Sequence, residues 1–198
     1  VYVDQAGERQ IVNFRGSGLA EDPDWPEHAP EPDAVLVDSR WPAAAIRALE
    51  LARARDVPGI VDAEASTEES VLARASHVAF SRDGLLSFAG GKQIEAALHA
   101  ADERLPGWVA VTDGADGAFH VGADGLKHTP AFAVEAKDTL GAGDIWHGAF
   151  ALALAEKSDE CHAVRFANAA AALKCTEFGG RKGCPDREAL EQFLQENT

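Results

Sequence analysis

The sequence predicts an α/β fold in which a mostly parallel sheet lies between layers of helices. Three observations predict it. Short apolar runs of strand length alternate with longer amphipathic stretches, the connections between them are short, and glycine-bearing turns follow strand candidates at two places. A chain of 198 residues is long enough to bury one sizeable core, with room for a small appendage.

The elements follow in order. Val1 to Asp4 and Arg9 to Phe14 flank the polar turn Gln5-Ala6-Gly7-Glu8 and predict a hairpin. From Gly16 to Pro32 the chain is rich in Pro, Gly, Asp and Glu, which marks a connector. Ala34 to Val37 is a buried-strand candidate, and Pro42 to Arg55 is an alanine-rich amphipathic helix with proline at its start. Gly59 to Val61 and His77 to Phe80 are further strands, separated by a helix over Thr67 to Ala73. Helical stretches at Gly84 to Phe88 and Lys92 to Glu103 lead to a strand at Trp108 to Thr112. Short strands are expected at Ala118 to Val121 and Ala131 to Ala136. Helices over Ala142 to Glu156, Asp159 to Cys175 and Arg187 to Glu196 close the chain.

Composition removes several functions. The formal net charge is −15, which repels nucleic-acid backbones and anionic membranes, and the longest basic run is only Arg181-Lys182. A phosphorylated small molecule remains compatible, because backbone N–H groups bind anions without cationic side chains. No apolar run is long enough to span a bilayer, and the N-terminus lacks a signal-peptide pattern. Cys161, Cys175 and Cys184 share no metal-ligand spacing and read as free thiols of a reducing compartment, so the cytoplasm is expected. Methionine is absent, even at position 1, and the chain opens directly into a strand. Both features suggest that a longer protein has lost its beginning.

The chemistry concentrates in Lys137-Asp138-Thr139-Leu140-Gly141-Ala142-Gly143-Asp144, where a strand candidate ends and a helix begins. Glycines let the backbone approach a ligand closely, and the free N–H groups of a first helical turn form an anion site. A carboxylate there would oppose simple phosphate capture. It suits a kinase, which needs a base beside the transferred group to take the proton of the attacking hydroxyl. The amides of Gly141, Ala142 and Gly143 would then stabilise charge in the transition state. The competing account makes Asp144 an acid stabilised by the helix dipole, after an ordinary turn.

The run DTLGAGDIWHGAFALALAE resembles the C-terminal signature of the ribokinase-like (PfkB) carbohydrate kinases, D-T-x-G-A-G-D followed by a helix. Arg165 to Leu173 resembles the family's alanine-rich helix beside adenine, and Val111 to Gly117 its T-x-G-x-x-G nucleotide turn. The similarity runs in order from about Val1 to Leu194.

The resemblance implies a three-layer sandwich with a small β-lid, and transfer of the γ-phosphoryl group of ATP to a sugar hydroxyl with Mg²⁺. It places the base on Asp144, the anion hole on Gly141, Ala142 and Gly143, and nucleotide contacts on Thr112, Gly114, Gly117 and Asn168. Many members hold a monovalent cation, usually K⁺, which would fall on Asp138 and the carbonyls of Leu140, Lys174, Glu177 and Gly179. Asp138 as a turn-capping residue is the alternative. Residues 1–16 would be a lid remnant and 17–198 the nucleotide-binding and catalytic domain. Asn13 and Arg15 would contact sugar from the lid, or merely end a solvated hairpin. Lids of this family often pair between subunits, which implies a homodimer.

The chain departs from the family pattern in two ways. Ser81 and Gly84 stand where an N-x-x-E motif would supply Asn and Glu, leaving Asp83 to compensate or Mg²⁺ to be held by water and phosphates. The N-terminal segment with sugar-contacting glycine motifs is missing, so the chain is expected to be a fragment. The tail Leu173 to Arg181 looks closer to ketose-directed bacterial members, including the fructokinase and sulfofructose kinase types, than to nucleoside kinases. A nucleoside or small-alcohol kinase, or a non-catalytic nucleotide-binding module, stands as the alternative. Two further residues stay open, His147 as an acceptor contact or packed and Asp62 as a ligand-edge acid or a helix cap, while Trp146 and Phe150 read as core.

Overall fold

The computed structural model describes residues 2–3, 9–10, 30–91, 93–122 and 124–197. The hairpin is present as β1 (Tyr2–Val3) and β2 (Arg9–Gln10), antiparallel with Tyr2 opposite Gln10. Asn13 and Arg15 lie outside the described residues.

Among the described residues, six strands form the main sheet in sequence order. They are β3 (Val35–Val37), β4 (Gly59–Ala63), β5 (His77–Ser81), β6 (Trp108–Thr112), β7 (Ala118–Gly122) and β8 (Gly125–Thr129). The first four are parallel; β7 and β8 complete the sheet as an antiparallel hairpin. The helices between them are α1 (Pro42–Ala54), α2 (Glu69–Leu72), α3 (Arg82–Ala89) and α4 (Ile94–Arg104). Three more follow the sheet: α5 (Ala142–Ala155), α6 (Glu160–Cys175) and α7 (Arg187–Glu196).

Strand alternation assigns the two faces. Val61, Ala63, Val78, Phe80, Val109 and Val111 point to one side, against Leu49 of α1, Leu72 of α2, Leu85 of α3 and Leu98 of α4. Ile60, Ala79 and Ala118 point to the other, against Trp146, Phe150 and the alanines of α5 and α6. The second face carries smaller side chains, so α5 comes close to the sheet. Trp146 and Trp108 both stack on Phe150, with ring centroids 5.1 and 5.3 Å away, which fixes α5 against β6. The expectation that Trp146 and Phe150 are core therefore holds.

Two expectations change. Ala131 to Ala136 forms no strand; the last strand is instead Gly125–Thr129, hidden in sequence by its charged and histidine residues. As an outer strand it keeps no continuous apolar face, so periodicity missed it. The segment 131–136 then leaves the sheet towards the end of α6, where Cys175 O accepts hydrogen bonds from Lys137 N (2.7 Å) and Asp138 N (3.2 Å).

The glycines of the β6–β7 turn differ in what they require. Gly117 has φ +90°, and a Cβ there would lie 2.3 Å from Thr129 O. Gly114 has φ +54° with open space around it. Gly114→Ala should therefore cost about 1–2 kcal/mol for a left-handed residue. Gly117→Ala should cost clearly more, because backbone must also move. Equal urea midpoints for the two variants would contradict this packing.

Candidate active site

The corner between β8 and α5 is built by Asp138. Its Oδ1 accepts a hydrogen bond from Leu140 N (2.9 Å), and its Oδ2 accepts from Gly179 N (2.9 Å) and Gly180 N (3.2 Å). Its backbone carbonyl accepts from Lys174 Nζ at 2.6 Å. The N–H groups of Gly179, Leu140 and Gly180, aided by the Lys174 charge, hold the Asp138 carboxyl well below the usual carboxylate range. Asp138 is thus the turn-capping residue that one of the two expectations described.

Past this knot, Gly141 takes φ +80° and starts α5. Gly143 and Asp144 occupy the first turn, where amides have no partner one turn earlier in the helix. Asp144 is exposed and opens on a cavity of about 490 Å³. A Cβ on Gly141 would lie 3.7 Å from Asp144 Oδ2, so the carboxylate sits beside the turn itself.

Asp38, Arg40, Asp62, Glu64 and His147 also line this cavity. Asp38 follows β3 directly, Asp62 is the last residue but one of β4, and Glu64 follows that strand. The carboxyl edge of a parallel sheet is where ligands bind in open α/β folds, a rule that would have flagged Asp38 and Glu64 as it flagged Asp62.

His147 is buried in the cavity wall, with Nδ1 2.8 Å from Gly143 O and Nε2 3.2 Å from Ala79 O. The small Ala79 is what lets α5 approach β5 this closely. His147 is therefore packed, and it ties the glycine turn to the sheet. Its Nε2 also lies 3.5 Å from Asp62 Oδ1.

The nucleotide-turn residues stand at the end of β6. Thr112 Oγ1 donates to Phe80 O at 3.4 Å, and Asp113 N donates to Gly117 O at 2.8 Å. Arg82, just after β5, holds the Asp113 carboxylate with contacts of 2.8 and 2.7 Å. Asn168, expected to touch nucleotide, is only 4% exposed. Its Oδ1 accepts from Trp146 Nε1 (2.7 Å), and its Nδ2 donates to Thr129 O (2.9 Å) and Pro130 O (3.1 Å). Every polar atom of that side chain is engaged inside the protein. Asn168 joins α5, α6 and the end of β8, next to the carbonyl on which Gly117 packs.

The Ser81–Gly84 departure has a steric cause. A Cβ at Gly84 would fall 2.3 Å from Ala63 O, so a glutamate has no room there. Ser81 Oγ caps α3 by accepting from Gly84 N at 3.1 Å, and reaches Glu64 Oε2 at 3.4 Å. Asp83 is exposed on the first turn of α3. Among the described residues, no cluster of three or more His, Cys, Asp or Glu could hold a metal.

A pfkB family carbohydrate kinase model matches residues 1–187. The chain belongs to that family. It is 39% identical over 100 residues to the ribokinase of Bacillus subtilis strain 168, covering 50% of this chain and 34% of that one. A solved structure of a candidate ribokinase from Agrobacterium tumefaciens matches with TM-score 0.85 and 39% identity, covering 98% of this chain and 66% of that one. A double mutant of fructokinase from Vibrio cholerae O395, solved with fructose, ADP and a potassium ion, matches with TM-score 0.70 and 25% identity. Coverage there is 81% of this chain and 60% of that one. The chain thus spans about a third of the Bacillus enzyme and about two thirds of the Agrobacterium structure. As in those structures, helices flank a mostly parallel sheet. Among the described residues no helix is long and apolar enough to cross a membrane.

Burial raises the Asp62 carboxyl above its ordinary value; His147 opposes this, while Glu64, Asp144 and Asp38 reinforce it. A raised acid favours its neutral form in the fold, so its charged form weakens stability as pH rises through the folded pKa. Asp62→Asn should then melt higher than the parent at pH 7, with the gain shrinking as pH falls into the ordinary carboxylate range. A pH-independent difference in thermal midpoint would refute this.

Proposed function

We propose that the whole protein transfers the γ-phosphoryl group of ATP to a sugar hydroxyl, and that Asp144 removes the proton of that hydroxyl. One observation carries the proposal: an exposed carboxylate faces an open cavity from the first turn of α5, where Ala142 N donates to Thr139 O (3.2 Å) and the amides of Gly143 and Asp144 have no partner one turn earlier in the helix. A binding-only site has no use for a negative charge among phosphate-binding amides. In a kinase both groups have work: the amides of Gly141, Ala142 and Gly143 stabilise the transferring group, and Asp144 receives the proton.

Thr112, Gly114 and Gly117 are assigned to the nucleotide, with Asn168 positioning their turn from below. Gly114 and Gly117 both take a positive φ, and Gly117 packs directly on the Thr129 carbonyl, so that turn is shaped by backbone at both positions. Mg²⁺ would arrive with the nucleotide and offset phosphate charge. Glu64 and the Ser81 hydroxyl are the groups nearest to the place of the lost N-x-x-E motif, and they would reach it through water.

The acceptor enters the cavity at the carboxyl edge of β3 and β4, and Asn13 and Arg15 are assigned to it from their place in the sequence alone. Similarity to ribokinases and to a fructose-bound fructokinase supports a sugar as acceptor, and the tail sequence favours a ketose. Pairing of lids between two copies would give a homodimer. Cys161, Cys175 and Cys184 form no disulfide among the described residues, which suits a cytoplasmic setting.

The test is ADP release by the full-length protein over a panel of sugars and nucleosides. Asp144→Asn should lower kcat by roughly 10²–10⁴-fold with little change in ATP affinity. Turnover that stays within about threefold of the parent would remove Asp144 as the base.

A further inference from the structure

Lys174 lies in the last turn of α6, a place where a lysine ordinarily extends into water and complements the helix dipole. Here its side chain is 0% exposed. Fully buried lysines are rare unless paired, because an ammonium loses its hydration on burial. The Nζ is directed at one residue: it donates to Asp138 O at 2.6 Å and lies 3.6 Å from Asp138 Oδ2.

Other oxygens of that corner are also engaged. Asp138 Oδ1 and Oδ2 already accept hydrogen bonds from Leu140, Gly179 and Gly180. The Lys174 carbonyl accepts from Glu177 N at 3.2 Å, and a Cβ on Gly183 would lie 2.7 Å from it, so the chain closes over that oxygen. A monovalent cation at this corner would need those oxygens and would sit against a positive charge within a few ångströms. Like charges that close, shielded from water, repel strongly. The expected K⁺ ligand set of Asp138, Leu140, Lys174, Glu177 and Gly179 therefore does not fit the ion.

We propose that the Lys174 ammonium is a tethered cation that takes the place of an exchangeable monovalent ion, and sets the α5 N-terminal turn without potassium. Lys174 is in these terms a positioning residue: it acts through Asp138, two residues before Leu140 and three before Gly141. Its relevance to turnover rests on the phosphoryl-transfer reading of that turn, but its test does not.

The experiment uses thermal unfolding of the chain in KCl and in tetramethylammonium chloride at equal ionic strength, and Tl⁺-soaked crystals with anomalous diffraction. The parent should melt at the same temperature in both salts and show no Tl⁺ peak beside Asp138. Saturable stabilisation by K⁺, or a Tl⁺ peak within coordination distance of the Asp138 carbonyl, overturns the proposal. Lys174→Ala should melt lower and acquire a K⁺-specific recovery, since it removes the charge and leaves ion-sized room. An alanine variant that is equally stable in both salts also overturns it. Should that variant fold in neither salt, the two measurements on the parent decide. Asp144→Asn should keep the parent's indifference to K⁺, which separates failure of the base assignment from failure of this one.

Discussion

The amides at the start of α5 can face a ligand only because the chain before them is held rigid from outside the helix. That hold comes from Asp138. Its carboxylate gathers N–H groups from Leu140, on its own side of the corner, and from Gly179 and Gly180, beyond the end of α6. Three backbone donors satisfy a carboxylate better than water would in such a recess, and they lock two loops together at one point. The Lys174 ammonium adds charge from below, where no water reaches. Removing either charge would leave the other uncompensated, so the pair ties the corner to the end of α6. Geometry is what an anion site made of backbone requires, since the amides cannot turn to find their ligand.

A second constraint operates through the size of side chains. Ala79 and Ala118 give the sheet a shallow face under α5 and α6, while valines fill the opposite face. The shallow face lets His147 bridge Gly143 O and Ala79 O, so that the glycine turn is referenced to β5. It also lets Trp146 reach Asn168, which continues to Thr129 and Pro130. Gly117 packs on the same Thr129 carbonyl. The α5 turn and the β6–β7 turn, far apart in sequence, are therefore referenced to each other through one unbroken set of hydrogen bonds and close contacts. Larger residues at Ala79 or Ala118 would lift the helix and separate the turns.

Much of this was legible in the residues, and the rest was hidden for physical reasons. The parallel strands announced themselves because strands buried on both faces are continuously apolar. β8 did not, because it is an outer strand whose Lys127 and His128 break that pattern. The corner was legible because Gly141 needs a positive φ and Asp144 a ligand to justify its place. Asn168 was assigned a contact with nucleotide, yet a buried amide between two helices has nearer partners than any ligand. Lys174 entered only for its carbonyl. Nothing local in sequence distinguishes a lysine that points inward from one that points to solvent; only the position of Asp138 across the corner decides it.

The distribution of charge around Asp144 follows from the same division of labour. The charged side chains of the cavity wall are mostly acidic, with Asp38, Asp62, Glu64 and Asp144 against Arg40 in a lining otherwise largely apolar, and the chain as a whole is strongly negative. An acidic wall would repel a nucleotide that entered through it. A neutral polyol meets no such barrier, and carboxylates accept the hydroxyl hydrogen bonds that it offers. In the proposed reaction the phosphates would approach from the side where backbone N–H groups, not side chains, supply the positive potential. Such a donor set carries no formal charge, so it can bind a phosphoryl group next to a carboxylate without neutralising that carboxylate by a salt bridge. Asp144 has no cationic partner among the described hydrogen bonds and ion pairs. It thereby keeps a free lone pair directed at the cavity, which is the one property a base at this position cannot lack.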